Sequence, residues 1–600
     1  MWGKKFLIVS ALVIGGAGLL FAQHNKISSD LQGSTPAQVN VIVQFNQPVS
    51  AVMHAKVINR GGTLKRELHS IRGGAYSMPA SQLESLAADP TVLHISPDRP
   101  VHSLLTSGGT VAALDHHLET VNAAAAWSQG LTGTGIGVAV IDSGIAAVDD
   151  LPAGKVVYSQ NFADDGGSSA TDLYGHGTHV SGIIAGSGKD STGSNFTYTF
   201  QGIAPGVNLV NLRVLDANGN GTSSAVISAI DTAIALKKTY NIRIINLSLG
   251  GGVFESYTSD PVCQAVEQAY QAGIIVVTSA GNEGRNNSAD TNGYGTITSP
   301  GNDPYVITVG AMNTMSTATA TDDIPTSYSS KGPSLWDQVI KPDLVAPGNL
   351  IVSLYTPNET LAQENPGNIV PTSLYQKGGS AASPEYFILS GTSMAAPMVS
   401  AAAALLLQKN PSLTPDQVKA LLMATADKNL IQSAVVTDPL SGLTYNVQAD
   451  ILTVGAGYLN IQEALEYMGY LSAYMPAGSS AMSPIAALDS QGNIDMVIGT
   501  PANGEPVAWG SAQDQNIVWG SSVISENTAD AKNVIWGDST LVGNSVIWGG
   551  STSQTESVIW GGSVIWGGSV IWGGSTSLAN SVIWGGSTAT ADTVLHGDQP

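Results

Sequence analysis

The sequence predicts an α/β fold for residues 112–470 of the 600-residue chain, a three-layer α/β/α sandwich around a mainly parallel sheet. Three observations carry this. Short apolar strands alternate there with capped helices, the rhythm of strand–helix–strand crossovers. The strands are apolar almost throughout instead of alternating with polar residues, which marks a sheet covered on both faces. Only 11% of all residues are charged, where about 25% is usual, and 68 glycines supply tight turns between closely packed layers.

Taken in order, the chain opens with Lys4 and Lys5, an apolar run from Phe6 to Ala22, then polar Gln23 and His24. Residues 1–22 therefore read as a secretory signal with a small residue at its end. The run is shorter than the ~20 residues of a spanning helix, and no later segment could span a bilayer, so no stable membrane span is expected after signal cleavage. Residues 38–105 read as a small unit with strand Val39–Phe45, a helix near Ser50–Arg60, a second helix Ala80–Ala88 and strand Val92–Ile95. It is too short to carry much core, and Leu104–Gly109 after it is a flexible stretch that a protease could cut.

In the body, strands are expected at Ile136–Ile141, Val207–Val214, Ile242–Leu247, Ile274–Thr278 and Tyr305–Val309. Ala225, Val226, Ala229, Ile230, Ala233 and Ile234 form the buried stripe of one helix. Asp260 and Pro261 open another that Gly273 closes, and Thr414, Pro415 and Gln417 form a capping box for a third. Cys263 is the sole cysteine, so no intramolecular disulfide forms, and its apolar neighbours predict a buried thiol.

Residues 476–600 carry eight of the eleven tryptophans. Val-Ile-Trp-Gly recurs, and Trp536, Trp548, Trp560, Trp566, Trp572 and Trp584 are spaced by 12 or 6, with His596 in the same register. A stacked β-solenoid with a Trp ladder and a flexible low-complexity segment both suit this pattern. Charge is uneven as well: residues 1–105 sum to +4 and the remainder to -26, for a total of -22. No nucleic-acid role is expected of such a chain.

Asp142 follows the buried strand Gly137–Ile141, at the carboxyl edge where open α/β sheets bind ligands, although an Asp there is commonly a turn residue. His176 lies in Gly-His-Gly-Thr-His-Val-Ser-Gly at the start of a helix. It and His179 are the only histidines between His117 and His596, so acid/base chemistry near neutral pH falls to this pair. A His-x-x-His pair can also ligate zinc, but no Glu lies between them and no third His follows. Ser393, in Gly-Thr-Ser-Met-Ala-Ala-Pro, stands at the N-terminus of a very apolar helix, where free N–H groups favour negative charge; an ordinary cap is the alternative reading. Asn282 follows the strand ending at Thr278 and can donate to an oxyanion. Ser248, Leu249 and Gly250 end another strand with bare backbone that an extended peptide could pair with.

These motifs, in the order Asp, His, Ser, resemble those of the subtilisin-like serine peptidases, the subtilases. The resemblance implies that Ser393 attacks a peptide carbonyl, His176 moves the proton, Asp142 orients His176, and Asn282 with the Ser393 amide holds the oxyanion. It implies that His179 is structural, that Ser248, Leu249, Gly250, Ser279, Ala280 and Gly281 bind substrate, and that no cofactor is needed for the chemistry. Residues 38–105 resemble the family's small α+β, ferredoxin-like inhibitory prodomain, which folds the body, blocks it and is removed by self-cleavage. Asp150 stands where the family has a calcium ligand, so a structural calcium ion is implied, although Val148-Asp149 replaces the usual His-Pro and the second calcium loop is not recognisable within 186–200. An insertion at about 356–383 is expected to form a lid or rim beside Ser393.

The expected function is thus a secreted serine endopeptidase that cleaves proteins or peptides and is made as a self-processed precursor. Association with a cell surface or polysaccharide through the tail is expected too. The alternative is a surface or matrix protein whose Trp repeats bind and whose body is scaffold. An esterase is disfavoured because Ser393 lacks the Gly-x-Ser-x-Gly elbow and the triad order differs.

Overall fold

The computed structural model describes residues 26–31, 36–105, 115–288, 291–431, 433–438, 441–470 and 480–488, and after these only short backbone strands up to residue 596. The expected signal at 1–22 and residues 106–109 of the cleavable stretch lie outside the described residues. Among the described residues no helix is long and apolar enough to cross a membrane.

The N-terminal unit runs β1 (Gln38–Phe45), α1 (Ala51–Ile58), β2 (Thr63–Leu68), β3 (Gly73–Pro79), α2 (Leu83–Ala87) and β4 (Val92–Pro97). Its antiparallel sheet has the order β2-β3-β1-β4, the ferredoxin-like topology. The Ser50 side chain caps α1 by accepting the Met53 N–H. Contrary to the expectation of little core, Val41, Val43, Phe45, Met53, Val57 and Ile95 are buried together on one face of the sheet. The opposite face is covered by the body, where Ile42, Leu68 and Ala75 share a second core with Ile227 and Ile230.

After β5 (Pro100–Ser103), the body's parallel sheet contains β6 (Gly137–Asp142), β7 (Val156–Asn161), β8 (Asn208–Arg213), β10 (Ile242–Leu247), β12 (Ile275–Ser279) and β13 (Ile307–Asn313). They lie in the order β7-β8-β6-β10-β12-β13, with β15 (Leu344–Pro347) parallel beside β13. Helices α3 (His176–Ala185), α6 (Thr392–Lys409) and α7 (Pro415–Ala424) pack on one face, and α4 (Ser223–Tyr240) and α5 (Pro261–Gln271) on the other. The three layers are those predicted. The strand expected at Tyr305–Val309 instead runs from Ile307 to Asn313, because its far half pairs with β15 from Val309↔Leu344 to Met312↔Pro347. The Asp260 cap of α5 and the Thr414–Gln417 capping box of α7 form as expected. Cys263 is buried, and burial raises its thiol pKa well above the ordinary value.

In the tail, strands such as Asn533–Trp536, Ser545–Trp548 and Ser557–Trp560 pair in parallel, each one 12-residue step from the next. The intervening strands, among them Ser539–Leu541 and Ser551–Ser553, make a second parallel sheet. The six-residue unit is therefore half of a two-stranded solenoid coil. Trp536, Trp548, Trp560, Trp572 and Trp584 occupy equivalent register positions.

Candidate active site

β6 sits where the strand order turns back, with β8 on one side and β10 on the other, which is the ligand-binding position of an open α/β sheet. Its last residue, Asp142, is buried, and Asp142 Oδ1 lies 2.7 Å from His176 Nδ1 and accepts the Ser143 N–H at 2.7 Å. His176 starts α3 behind Gly175, whose φ of 112° is left-handed and favours glycine. At Gly177 a Cβ would collide with the Gly144 carbonyl, so this glycine lets the first turn of α3 settle onto the Asp142 loop. Sequence reasoning missed the hub beneath. Asp172 accepts N–H bonds from Tyr174, Gly175 and Thr178 and hydroxyl bonds from Ser143 and Thr178, and so fixes the approach to His176. The available signal was an acidic residue four positions before a helix start.

Ser393 lies in the first turn of α6. Its hydroxyl donates to the Ser248 carbonyl at 2.9 Å, and the Ser248 hydroxyl donates to the Ser393 carbonyl at 2.9 Å. Ser248 directly follows β10, next to the Asp142 end of β6, so nucleophile, imidazole and carboxylate candidates share one sheet edge. His176 Nε2 is buried and has no hydrogen-bond partner. Asn282 Oδ1 accepts both the Thr392 N–H and the Thr392 hydroxyl at 3.0 Å, and its buried Nδ2 is likewise without a partner.

A segment of the chain itself fills the adjoining cleft. β5 runs antiparallel between β9 (Asn220–Thr222) and β11 (Leu249–Gly250), pairing Ser103 with Leu249 and His102 with Gly250 on one side and His102 with Asn220 on the other. Beyond it, a Cβ on Gly391 would collide with the Leu104 carbonyl oxygen and come within 3.0 Å of Asn282 Nδ2. The Leu104 side chain reaches toward Gly250, 3.2 Å from where a Cβ would stand there. Ser279, Ala280 and Gly281 follow β12 into the same place, and the Gly281 N–H donates to the Thr392 hydroxyl.

His179 points elsewhere. Its Nε2 lies 3.1 Å from the Ile351 and Phe387 carbonyls, and burial pushes its pKa down to about 3, so it is a neutral ring donating to backbone. Asp150 is buried away from the cleft. Its carboxylate accepts from the Ser187 hydroxyl at 3.0 Å, the Asp190 N–H at 3.1 Å and the Tyr386 hydroxyl at 2.6 Å. Calcium requires six or more oxygen ligands. Protein donors already occupy both Asp150 oxygens, and among the described residues no three His, Cys, Asp or Glu side chains are grouped to hold a metal, so these residues do not fit the ion. Chelation by EDTA is expected to leave the unfolding midpoint unchanged, whereas Tyr386→Phe should cost about 1–3 kcal/mol by leaving a buried carboxylate short of a donor. A midpoint that drops in EDTA and returns with calcium would contradict this.

The insertion lies along the loop before His176, where the Thr360 and Leu361 N–H groups donate to the Leu173 and Tyr174 carbonyls, and Tyr375 stacks on Phe196. Glu359 within it is buried beside Gly175 and accepts the Thr356 N–H, and burial followed by the negative charge of Asp172 pushes its pKa up to about 8. The folded state thus keeps this proton while the unfolded chain sheds it from about pH 4.5, so Glu359 lowers stability as pH rises to 8. Glu359→Gln should therefore match the parent at pH 4 and exceed it by several kcal/mol, up to about 5, at pH 9, measured by denaturant unfolding. Equal stabilities at pH 9 would count against an ionising Glu359.

A family model described as the subtilase family, Peptidase_S8, matches residues 133–445. Serine protease AprX of Bacillus subtilis (strain 168) is 35% identical over 418 residues, 68% of this chain and 86% of AprX. Subtilisin E of the same strain is 31% identical over 406 residues, 67% of this chain and 89% of its own length. An extracellular serine proteinase of Thermus sp. (strain Rt41A) is 32% identical over 366 residues, 61% of this chain and 73% of the relative. Fervidolysin from Fervidobacterium pennivorans, described as a keratinolytic enzyme related to subtilisin, aligns with a TM-score of 0.53 at 22% identity, over 78% of this chain and 66% of its own, a likeness of fold. The chain belongs to the subtilase family and is a serine-type endopeptidase.

Proposed function

We propose that this endopeptidase works through Asp142, His176 and Ser393, and that its first substrate is its own N-terminal unit, cut between Leu104 and Leu105. For attack, the Ser393 hydroxyl leaves the Ser248 carbonyl and gives its proton to His176 Nε2 while Oγ bonds to the carbonyl carbon. Asp142 holds the opposite ring nitrogen and stabilises the imidazolium. The carbonyl oxygen becomes an oxyanion facing Asn282 Nδ2 and the Ser393 N–H, which the first turn of α6 leaves available. Collapse breaks the C–N bond, His176 returns the proton to the leaving amine, and water repeats the cycle on the acyl-enzyme. Ser248–Gly250 and Ser279–Gly281 hold the substrate backbone and the side chain before the scissile bond. No cofactor takes part in these steps.

What supports this reading most is the path of β5. An extended strand pairs on both edges in the cleft, and the Leu104 carbonyl oxygen and the Asn282 amide both lie within 3.0 Å of where a Cβ on Gly391 would stand. After the cut, the same pairing and the buried face against α4 keep residues 38–104 bound as an inhibitor until they are degraded. Secretion is supported by the Lys4–Ala22 pattern and by the extracellular Thermus relative. The experiment is to express the full chain and sequence the new amino terminus, with Leu105 expected. A terminus elsewhere, or processing that persists in Ser393→Ala, would refute the assignment.

A further inference from the structure

Arg99, five residues before Leu104, enters a pocket that the body builds. Its Nη1 lies 2.7 Å from Glu255 Oε1 and 3.9 Å from Asp260 Oδ2, and its guanidinium stands 5.4 Å above the Phe254 ring. Glu255 and Asp260 are 8% and 3% exposed. The pocket is fixed by the body itself: Asp260 caps α5 through the Val262 and Cys263 N–H groups and accepts the Ser299 hydroxyl. The Arg99 backbone is fixed as well, since its carbonyl accepts the Ser223 N–H at the start of α4. The N-terminal unit adds its own contacts, Asp30 and Ser28 to Arg99 and His94 to Glu255 at 2.5 Å, and all of these depart with it.

Departure leaves two neighbouring carboxylates and an aromatic face with no cation between them. Like charges so placed are costly until a counter-charge returns, and a planar guanidinium satisfies carboxylate and ring together better than an ammonium does. Counting Leu104 as the first residue before the cut, Arg99 is the sixth. We propose that in the mature enzyme Glu255, Asp260 and Phe254 form a substrate subsite that selects arginine at the sixth position before the scissile bond. This rests on the Leu104–Leu105 assignment, which sets the count.

The test uses mature enzyme and internally quenched peptides carrying one Leu-Leu bond and Arg, Lys, Ala or Glu at the sixth position before it, with cut sites read by mass spectrometry. At physiological salt kcat/KM for the Arg peptide should exceed that for Ala by about tenfold, with Lys between them and Glu lowest. Glu255→Gln should shrink the Arg-to-Ala ratio to near one, and Glu255→Arg should favour the Glu peptide. A ratio within twofold in the parent enzyme overturns the subsite, and this comparison needs no variant to fold. An equal gain with Arg moved to the eighth position also overturns it, since that reports only attraction to an acidic protein. Cleavage at a bond other than Leu-Leu is a different failure, because it removes the register and the count that depends on it.

Discussion

Ser393→Ala should lower kcat/KM for casein and for small peptides by about 10⁴- to 10⁶-fold, the scale lost when a triad nucleophile is removed. The folded precursor should survive the change. The Ser393 side chain makes one hydrogen bond, to the Ser248 carbonyl, so its loss costs about 1 kcal/mol and leaves the rest of α6 packed. The expected product is therefore an intact, uncleaved chain with β5 still in the cleft and a melting temperature within a few degrees of the parent. His176→Ala should fall to a similar rate, and the double variant should fall no further, because the groups act as one unit. Electrophoresis of the purified chains and initial hydrolysis rates decide the matter. An alanine variant that matures at the parental rate would exclude Ser393 as nucleophile.

The candidate site was legible as a cluster because its residues sit in short contiguous motifs on the carboxyl edge of strands whose apolar runs are unmistakable. Asp142, Asn282 and Ser248 each follow such a run, and a parallel sheet must bring those ends together. Features made by contacts remote in sequence were not legible. Tyr386 reaches Asp150 across 236 positions, and no local pattern predicts that a hydroxyl will stand where the family resemblance suggested calcium. β3 carries two glycines and β2 three consecutive charged residues, Lys65, Arg66 and Glu67, so propensity argued against strands that the pairing of β3 with β1 and of β2 with β3 nonetheless enforces. The threading of β5 was hidden likewise, since Pro100–Ser103 has no strand signature until β9 and β11 offer it partners on both edges.

The largest effect expected on stability belongs to another such long-range cluster, centred on Asp343 just before β15. Its Oδ2 lies 2.8 Å from Lys341 Nζ and its Oδ1 3.0 Å from Lys419 Nζ, and it accepts the Thr308 N–H and the Ser483 hydroxyl. Carboxylate and both ammonium groups are buried. Burial pushes the Asp343 carboxyl up, and the two lysines more than reverse it, so its pKa lies below the usual range. A depressed carboxyl pKa contributes stability that is present above the unfolded value, near pH 4, and lost as pH falls through the folded one. Asp343→Asn should strand two ammonium groups in the core and cost about 3–5 kcal/mol at pH 7. Burial also pulls Lys419 down to about 7 against the attraction of Asp343, and without that carboxylate its pKa should fall further. The unfolded chain then binds more protons than the folded one up to about pH 10, so the variant should regain stability as pH rises. Because Lys419 in the parent is itself half-neutral near pH 7, the deficit should be greatest in the mildly acidic range, about pH 4 to 6, and smaller at pH 3 and above pH 7. Denaturant unfolding in the Ser393→Ala background, which removes self-digestion, measures this directly. A deficit under 1 kcal/mol, or one that is flat with pH, would mean that the lysines are held by the Pro304 and Val306 carbonyls and Ser483 rather than by the charge of Asp343.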